Sequence, residues 1–178
     1  MMTVVGRGLF RRYPIAEVRR WAKKPVRFSF NRVSTDSMNP AYRTARFRCA
    51  IGPDEIPPSA FAIITACDPL DQIRSDEANR HADAGLRADL ELRGWWYFRV
   101  IGGSPDFQHQ EPGWAAVTGS LGQAIALGRR WAQAAVFWVE NDVLNLVDCA
   151  TGSIEPLGSW SARTRFSQDI GPWRVLPE

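Results

Sequence analysis

The chain has 178 residues, 45% hydrophobic and 23% charged, with a formal net charge of +3. These are the proportions of a soluble globular protein that folds as one domain and buries roughly 70% of its extended surface. No run approaches the roughly 18 apolar residues of a membrane span, the N-terminus lacks the apolar core of a secretory leader, and Cys49, Cys67 and Cys149 form no C-x-x-C pair, so the expected address is a reducing cytoplasm without a disulfide framework or a zinc knuckle.

Residues 1–40 read as a basic extension. Nine Arg and Lys residues stand there against only Glu17 and Asp36, which leaves the rest of the chain mildly acidic. Such an arm suits an anionic partner, nucleic acid or an acidic protein, or docks on its own domain. No helix-turn-helix, RNA-recognition signature or zinc finger accompanies it. Within it, Pro14 opens a short helix that Pro25 ends, and the alternating Val26–Phe30 run forms a strand.

The domain proper is expected over 41–150. Thr44–Ala50 alternates polar and apolar residues, as an edge strand does, and residues 52–58 form a proline-rich loop. Ala60–Ala66 is continuously apolar, the pattern of a strand covered on both faces. Ser75 caps a helix whose first turn carries Asp76 and Glu77, whose face is Ala82, Leu86 and Leu90, and which Gly94 stops. Asn79 lies about 20° from Leu86 around that helix, so its polar side chain falls on the buried face. Trp95–Ile101 is an aromatic and β-branched strand, and Trp114–Val117 adds a short one. Ser120 caps a second helix through the Ala124 and Gly128 face, and Ala135–Val139 with Val143–Val147 form a hairpin about Glu140–Asp142. The Gly-, Ser- and Pro-rich segment 151–178 is a tail packed on the domain through Trp160 and Trp173. The order predicts an α+β fold: a single domain with a mixed or antiparallel sheet and two helices on one face.

Chemistry-bearing residues gather in two places. The first is Gly102–Trp114, a turn stiffened by Pro105 and Pro112 that holds Ser104, Asp106, His109 and Glu111. His109 and Glu111, two apart, share one side of an extended backbone, and a carboxylate beside an imidazole suits acid–base work with His109 as the acid–base group and Glu111 as its orienter. No G-x-S-x-G elbow supports Ser104 as a nucleophile. His81 and His109 with Glu111 and Asp106 lack fixed metal-ligand spacing, so no metal is assigned, and no cofactor motif is present. The second place is Thr65 and Asp68 at the exit of the central strand, opposite Asn79; Gln133 stands at the end of the second helix. Strand ends that meet helix N-termini form polar crevices. For each of these residues a plain structural role, satisfying loop backbone or helix ends, stays open beside ligand binding.

An ordered series of motifs resembles the bacterial domain of unknown function 3293. It comprises Ile64-Thr65-Ala66-x-Asp68-Pro69, Asn79 with Leu86 and Leu90, Gly102-x-Ser104-Pro105-Asp106 with His109-Gln110-Glu111, Ala126-Leu127-Gly128, Gln133, and Val136 to Asn141. The resemblance spans about residues 42–148. It implies that Thr65, Asp68, Asn79, His109, Glu111 and Gln133 belong to one shared pattern, and it carries no activity with it.

The expectation is therefore a pocket for a small polar or anionic ligand. His109 and Glu111 supply any acid–base chemistry, Thr65, Asp68, Asn79, Ser104, Asp106 and Gln133 bind, and Trp96 or Trp114 forms a stacking wall. The alternative is a non-enzymatic interaction module that works through the Arg-rich arm. Neither reading names a reaction, a cofactor or an oligomeric state, although a Trp-rich surface could pair two copies.

Overall fold

The computed structural model describes residues 38–50 and 58–166. The basic arm up to residue 37, with its expected helix and strand, most of the 52–58 loop, and Trp173 lie outside the described residues. A helical turn α1 (Ala41–Thr44) leads into β1 (Arg46–Cys49) and β2 (Ala60–Ile64). Helix α2 (Asp76–Leu92) follows, then β3 (Tyr97–Gly103), β4 (Gln110–Ala116), α3 (Leu121–Arg130), β5 (Ala135–Glu140), β6 (Val143–Asp148), β7 (Ile154–Ser159) and β8 (Thr164–Phe166). The fold is a single α+β domain on an eight-stranded sheet of order β7-β6-β5-β2-β4-β3-β1-β8. Every neighbouring pair is antiparallel except the parallel β1–β8 pair.

Local chemistry places the elements. The Ser75 hydroxyl accepts the Ala78 N–H at the start of α2, and the Ser120 hydroxyl accepts the Gln123 N–H at the start of α3. Gly94, at φ +66°, ends α2 by returning its N–H to the Glu91 carbonyl. Asn141 and Asp142, both at positive φ, make the two-residue turn of the β5–β6 hairpin. Strand β2 is buried along its length, with Phe61 and Ile63 on one face and Ala62 and Ile64 on the other.

That alternation separates two cores. On the outer face α2 and α3 lay Leu86, Leu90, Ala124 and Leu127 against Ile64, Val136 and Trp138. The inner face is closed by the sheet itself. Strands β1 and β5 are four strand spacings apart in the sheet order, about 19 Å if the sheet were flat. Yet the rings of Phe47 on β1 and Phe137 on β5 meet edge to face with centroids 5.2 Å apart. The sheet is therefore rolled, with Phe47, Phe61, Phe98, Val139 and Trp160 packed inside it. Arg163, between β7 and β8, donates to the carbonyls of Leu157 on β7 and Arg43 in α1, which ties the two sheet edges together.

Two strands lie past residue 150, where the sequence offers little β signal. Strand β7 contains Pro156 and Gly158, and β8 is three residues long. Both are edge strands, where proline and short length are tolerated. Trp160 between them is 3% exposed and packs against the rings of Phe47 and Phe61, tilted on the first and edge to face with the second. Among the described residues no helix is long and apolar enough to cross a membrane.

Candidate functional site

Strands β3 and β4 are longer at the mouth of the roll than the sequence pattern indicates. Gly102 and Gly103 pair with Glu111 and Gln110, so Glu111 is a strand residue and the turn proper is only 104–109. Gly103 permits this turn: a Cβ there would lie 2.6 Å from the His109 carbonyl oxygen and 3.0 Å from the Phe107 ring. Pro112 sits within β4 because β2 has ended beside it. Its carbonyl accepts the Thr65 hydroxyl at 2.9 Å, and the N–H that proline lacks would have pointed the same way, past the end of β2.

At this mouth the starts of β1, β4 and β5 and the ends of β2 and β3 surround a cleft of about 350 Å³. Of the residues singled out from the sequence, Thr65, Ser104, His109, Glu111 and Gln133 line it. Asp68, Asn79 and Asp106 do not. Tyr42, Asp71 and Phe137 do, although none of them was singled out from the sequence as a site residue. Tyr42 and Phe137 form the aromatic wall, edge to face at 6.2 Å. Trp114 instead packs on Tyr97 and under Arg99, and Trp96 lies against Phe98, so neither reaches the cleft.

Two paired acids face the cleft. His109 Nε2 and Glu111 Oε1 are 2.9 Å apart, with the imidazole 67% exposed and the Glu111 side chain less than half so. Burial raises the Glu111 pKa above the usual carboxylate range; the His109 contact acts the other way, and the charges of Asp68 and Asp71 add to the rise. The Tyr42 hydroxyl donates to Asp71 Oδ1 at 2.7 Å. Burial, then that hydrogen bond, push the Tyr42 phenol far above its ordinary value, so it stays protonated and donating. Among the described residues neither Asp71 Oδ2 nor Glu111 Oε2 has a hydrogen-bond partner, and no Lys or Arg side chain lines the cleft.

Gln133 is 6% exposed. Its Nε2 donates to the Cys67 and Trp131 carbonyls, at 3.1 and 3.3 Å. Both partners are acceptors, which fixes the amide orientation. Oε1 is left as an acceptor with no partner among the described residues, on a side chain that lines the cleft.

The remaining sequence candidates hold backbone. Ser104 Oγ donates to Asp106 Oδ1 at 2.6 Å and accepts the His109 N–H at 3.1 Å, and Asp106 also accepts the Gln108 N–H. The hydroxyl is thus committed to the turn, with no contact to the imidazole that could activate it. Thr65 Oγ1 accepts the Cys67 N–H as well as donating to Pro112. Asn79 grips Asp68 through two hydrogen bonds, and Asp68 Oδ1 accepts the Arg74 N–H besides. These contacts hold Asp68, Leu70 and Asp71 at φ between 39° and 59°, a conformation that costs each non-glycine residue. Asn79 and Asp68 therefore serve the cleft from behind, by fixing the loop that presents Asp71. Burial pushes the Cys67 thiol up to about 12, so it is no ready nucleophile. Among the described residues no cluster of three or more His, Cys, Asp or Glu side chains is arranged to hold a metal ion.

Residues 64–136 match the family described as "Protein of unknown function (DUF3293)", in keeping with the resemblance read from the motifs. That span carries Asp71, His109, Glu111 and Gln133, and leaves out Tyr42 and Phe137. No curated protein and no solved structure matches the chain significantly.

Proposed function

We propose that the protein binds a small polar molecule in the cleft at the mouth of its rolled sheet, with Glu111 and His109 as the groups available for proton transfer. The observation that carries this reading is convergence. Tyr42, Asp71, Glu111 and Gln133 come from four separate segments and line one 350 Å³ space that has aromatic walls, a size and make-up typical of small-molecule sites. A carboxyl with a raised pKa at 2.9 Å from an imidazole is a pair suited to exchanging a proton. Of the polar or anionic ligands expected from the sequence, an anionic one would meet two carboxylates and, among the described residues, no Lys or Arg, which favours a neutral or cationic ligand instead. Cys49, Cys67 and Cys149 are free and buried, which supports a reducing compartment such as the bacterial cytoplasm.

The test is a fragment screen followed by two-dimensional amide NMR on the full chain. Binding at the site shifts the amides of Gly102, Gly103 and Ser104 together with the Gln133 side-chain amide. A diverse library whose hits all map away from these signals, or which yields no hits, removes the reading. For the proton-transfer part, His109→Ala should leave fragment affinity within a few fold while abolishing any turnover found.

A further inference from the structure

Three acceptors with nothing to accept define what the cleft wants. Asp71 commits Oδ1 to Tyr42 and Glu111 commits Oε1 to His109, which leaves Oδ2 and Oε2 open among the described residues. Gln133, more than nine-tenths buried, leaves Oε1 open on the same lining. The Tyr42 hydroxyl, a donor on the same lining, is turned onto Asp71. Asp71 is exposed and the Glu111 side chain is 31% exposed, so water can solvate their open oxygens, but all three acceptors face one lining and two of them carry negative charge. The Tyr42 and Phe137 rings add an apolar wall whose faces attract cations.

We propose that the ligand of this cleft is a nitrogen cation on a flat apolar body: an amidine, a guanidine or a protonated amino-heterocycle. Its N–H groups bond the free oxygens of Asp71 and Glu111 and the Gln133 Oε1, and its body lies along Tyr42 and Phe137. An amidinium or guanidinium presents several N–H donors in one plane and pairs with carboxylates through charge-assisted hydrogen bonds. A carboxylate or phosphate ligand supplies no donor for any of the three and adds repulsion from both acids. This assignment rests on the cleft being a binding site and names the chemistry of its ligand.

Three probes of nearly the same shape isolate the charge: benzamidine, benzamide and benzoate, titrated at pH 8 into the full chain and followed at the Gly103 and Gln133 amides. Benzamidine is expected to bind about tenfold more tightly than benzamide, with benzoate weakest. Asp71→Asn and Glu111→Gln should each weaken benzamidine several fold and benzamide by less, so that the preference for the cation shrinks. Asp71 is exposed, so the first variant is expected to fold normally and serves if the second does not. Benzamide or benzoate binding as well as benzamidine overturns the cationic assignment while the binding site stands. Benzamidine binding that ignores both variants also overturns it, because the carboxylates then play no part. No response to any of the three at the cleft amides overturns the assignment, and the broader fragment screen then decides whether the binding site falls with it.

Discussion

Asn79 holds Asp68 at two points: its Oδ1 accepts the Asp68 N–H at 3.1 Å, and its Nδ2 donates to Asp68 Oδ1 at 2.9 Å. One buried amide on α2 thereby clamps the exit of the central strand β2, three residues before the Asp71 that accepts the Tyr42 hydroxyl.

Removing that amide should cost stability and loosen the cleft together. Asn79→Ala leaves the Asp68 N–H unpaired in a partly buried loop of left-handed residues, so a loss of about 1–3 kcal/mol is expected. Urea denaturation measures it. The accompanying change is a shift of the Tyr42 ring signals as the Asp71 contact weakens. A destabilised variant with unmoved Tyr42 signals would show that Asn79 does not position Asp71.

Gly103→Ala tests the turn that carries His109. The added methyl would meet the His109 carbonyl oxygen at 2.6 Å, and backbone there cannot swing aside as a long side chain can. A loss of about 1–3 kcal/mol is expected, the usual range for overpacking. Gly102→Ala is the control: its Cβ would find its nearest neighbour, the Phe47 ring, at an ordinary 3.7 Å. Equal losses from the two substitutions contradict the close approach.

The raised pKa of Glu111 has a definite sign in stability. A carboxyl held above its unfolded value of 4.5 binds its proton more tightly folded than unfolded. Its contribution is complete below pH 4.5 and is lost as pH rises through the folded value. Glu111→Gln removes the titration. The stability of the wild type minus that of the variant should therefore fall as pH rises from about 4.5 through the folded value, then level off. Urea midpoints at several pH values read the difference, and a gap that grows in favour of the wild type refutes the direction.

All three cysteines are held protonated. Burial alone lifts Cys49 to about 12, and burial is the main cause of the same value at Cys67 and Cys149. At pH 8 a disulfide reagent such as Ellman's should find no fast-reacting thiol in the native protein and three after denaturation. Unfolded thiols ionise near 9 and folded ones near 12, so the proton linkage favours the folded state below pH 9 and loses it as pH climbs toward 12. Tyr42 acts in the same sense above pH 10. Alkaline unfolding should accordingly steepen above pH 9, and a fast native thiol at pH 8 would contradict the burial.

Local interactions carry the elements, and a sequence displays local interactions directly. Ser75 and Ser120 cap helices because a hydroxyl meets an N–H three residues on. Asn141 and Asp142 turn a hairpin because those side chains tolerate positive φ, and Ala60–Ile64 is apolar on both faces because both faces are covered. The polar turn between β3 and β4 is visible as Ser104, Asp106, His109 and Glu111 for the same reason. The division of labour among those residues is not visible. Whether a hydroxyl or carboxylate faces a cleft or its own backbone depends on strand register and on where β2 stops, and these are settled by pairing between distant segments.

The sequence by itself thus determined the two long helices, most of the strands, the α+β class and the stretch in which to look for a site. The tertiary structure alone decided that the sheet rolls until Phe47 meets Phe137. Only that roll brings Tyr42, Asp71, Glu111 and Gln133 around one space, with Asp71 on a loop tied down by Asn79 and by the Leu70 N–H on the Ala132 carbonyl. The physical reason is that a cleft is a property of long-range packing: its residues are neighbours because apolar faces far apart in the chain bury one another, and no local periodicity records which polar groups are left at the rim.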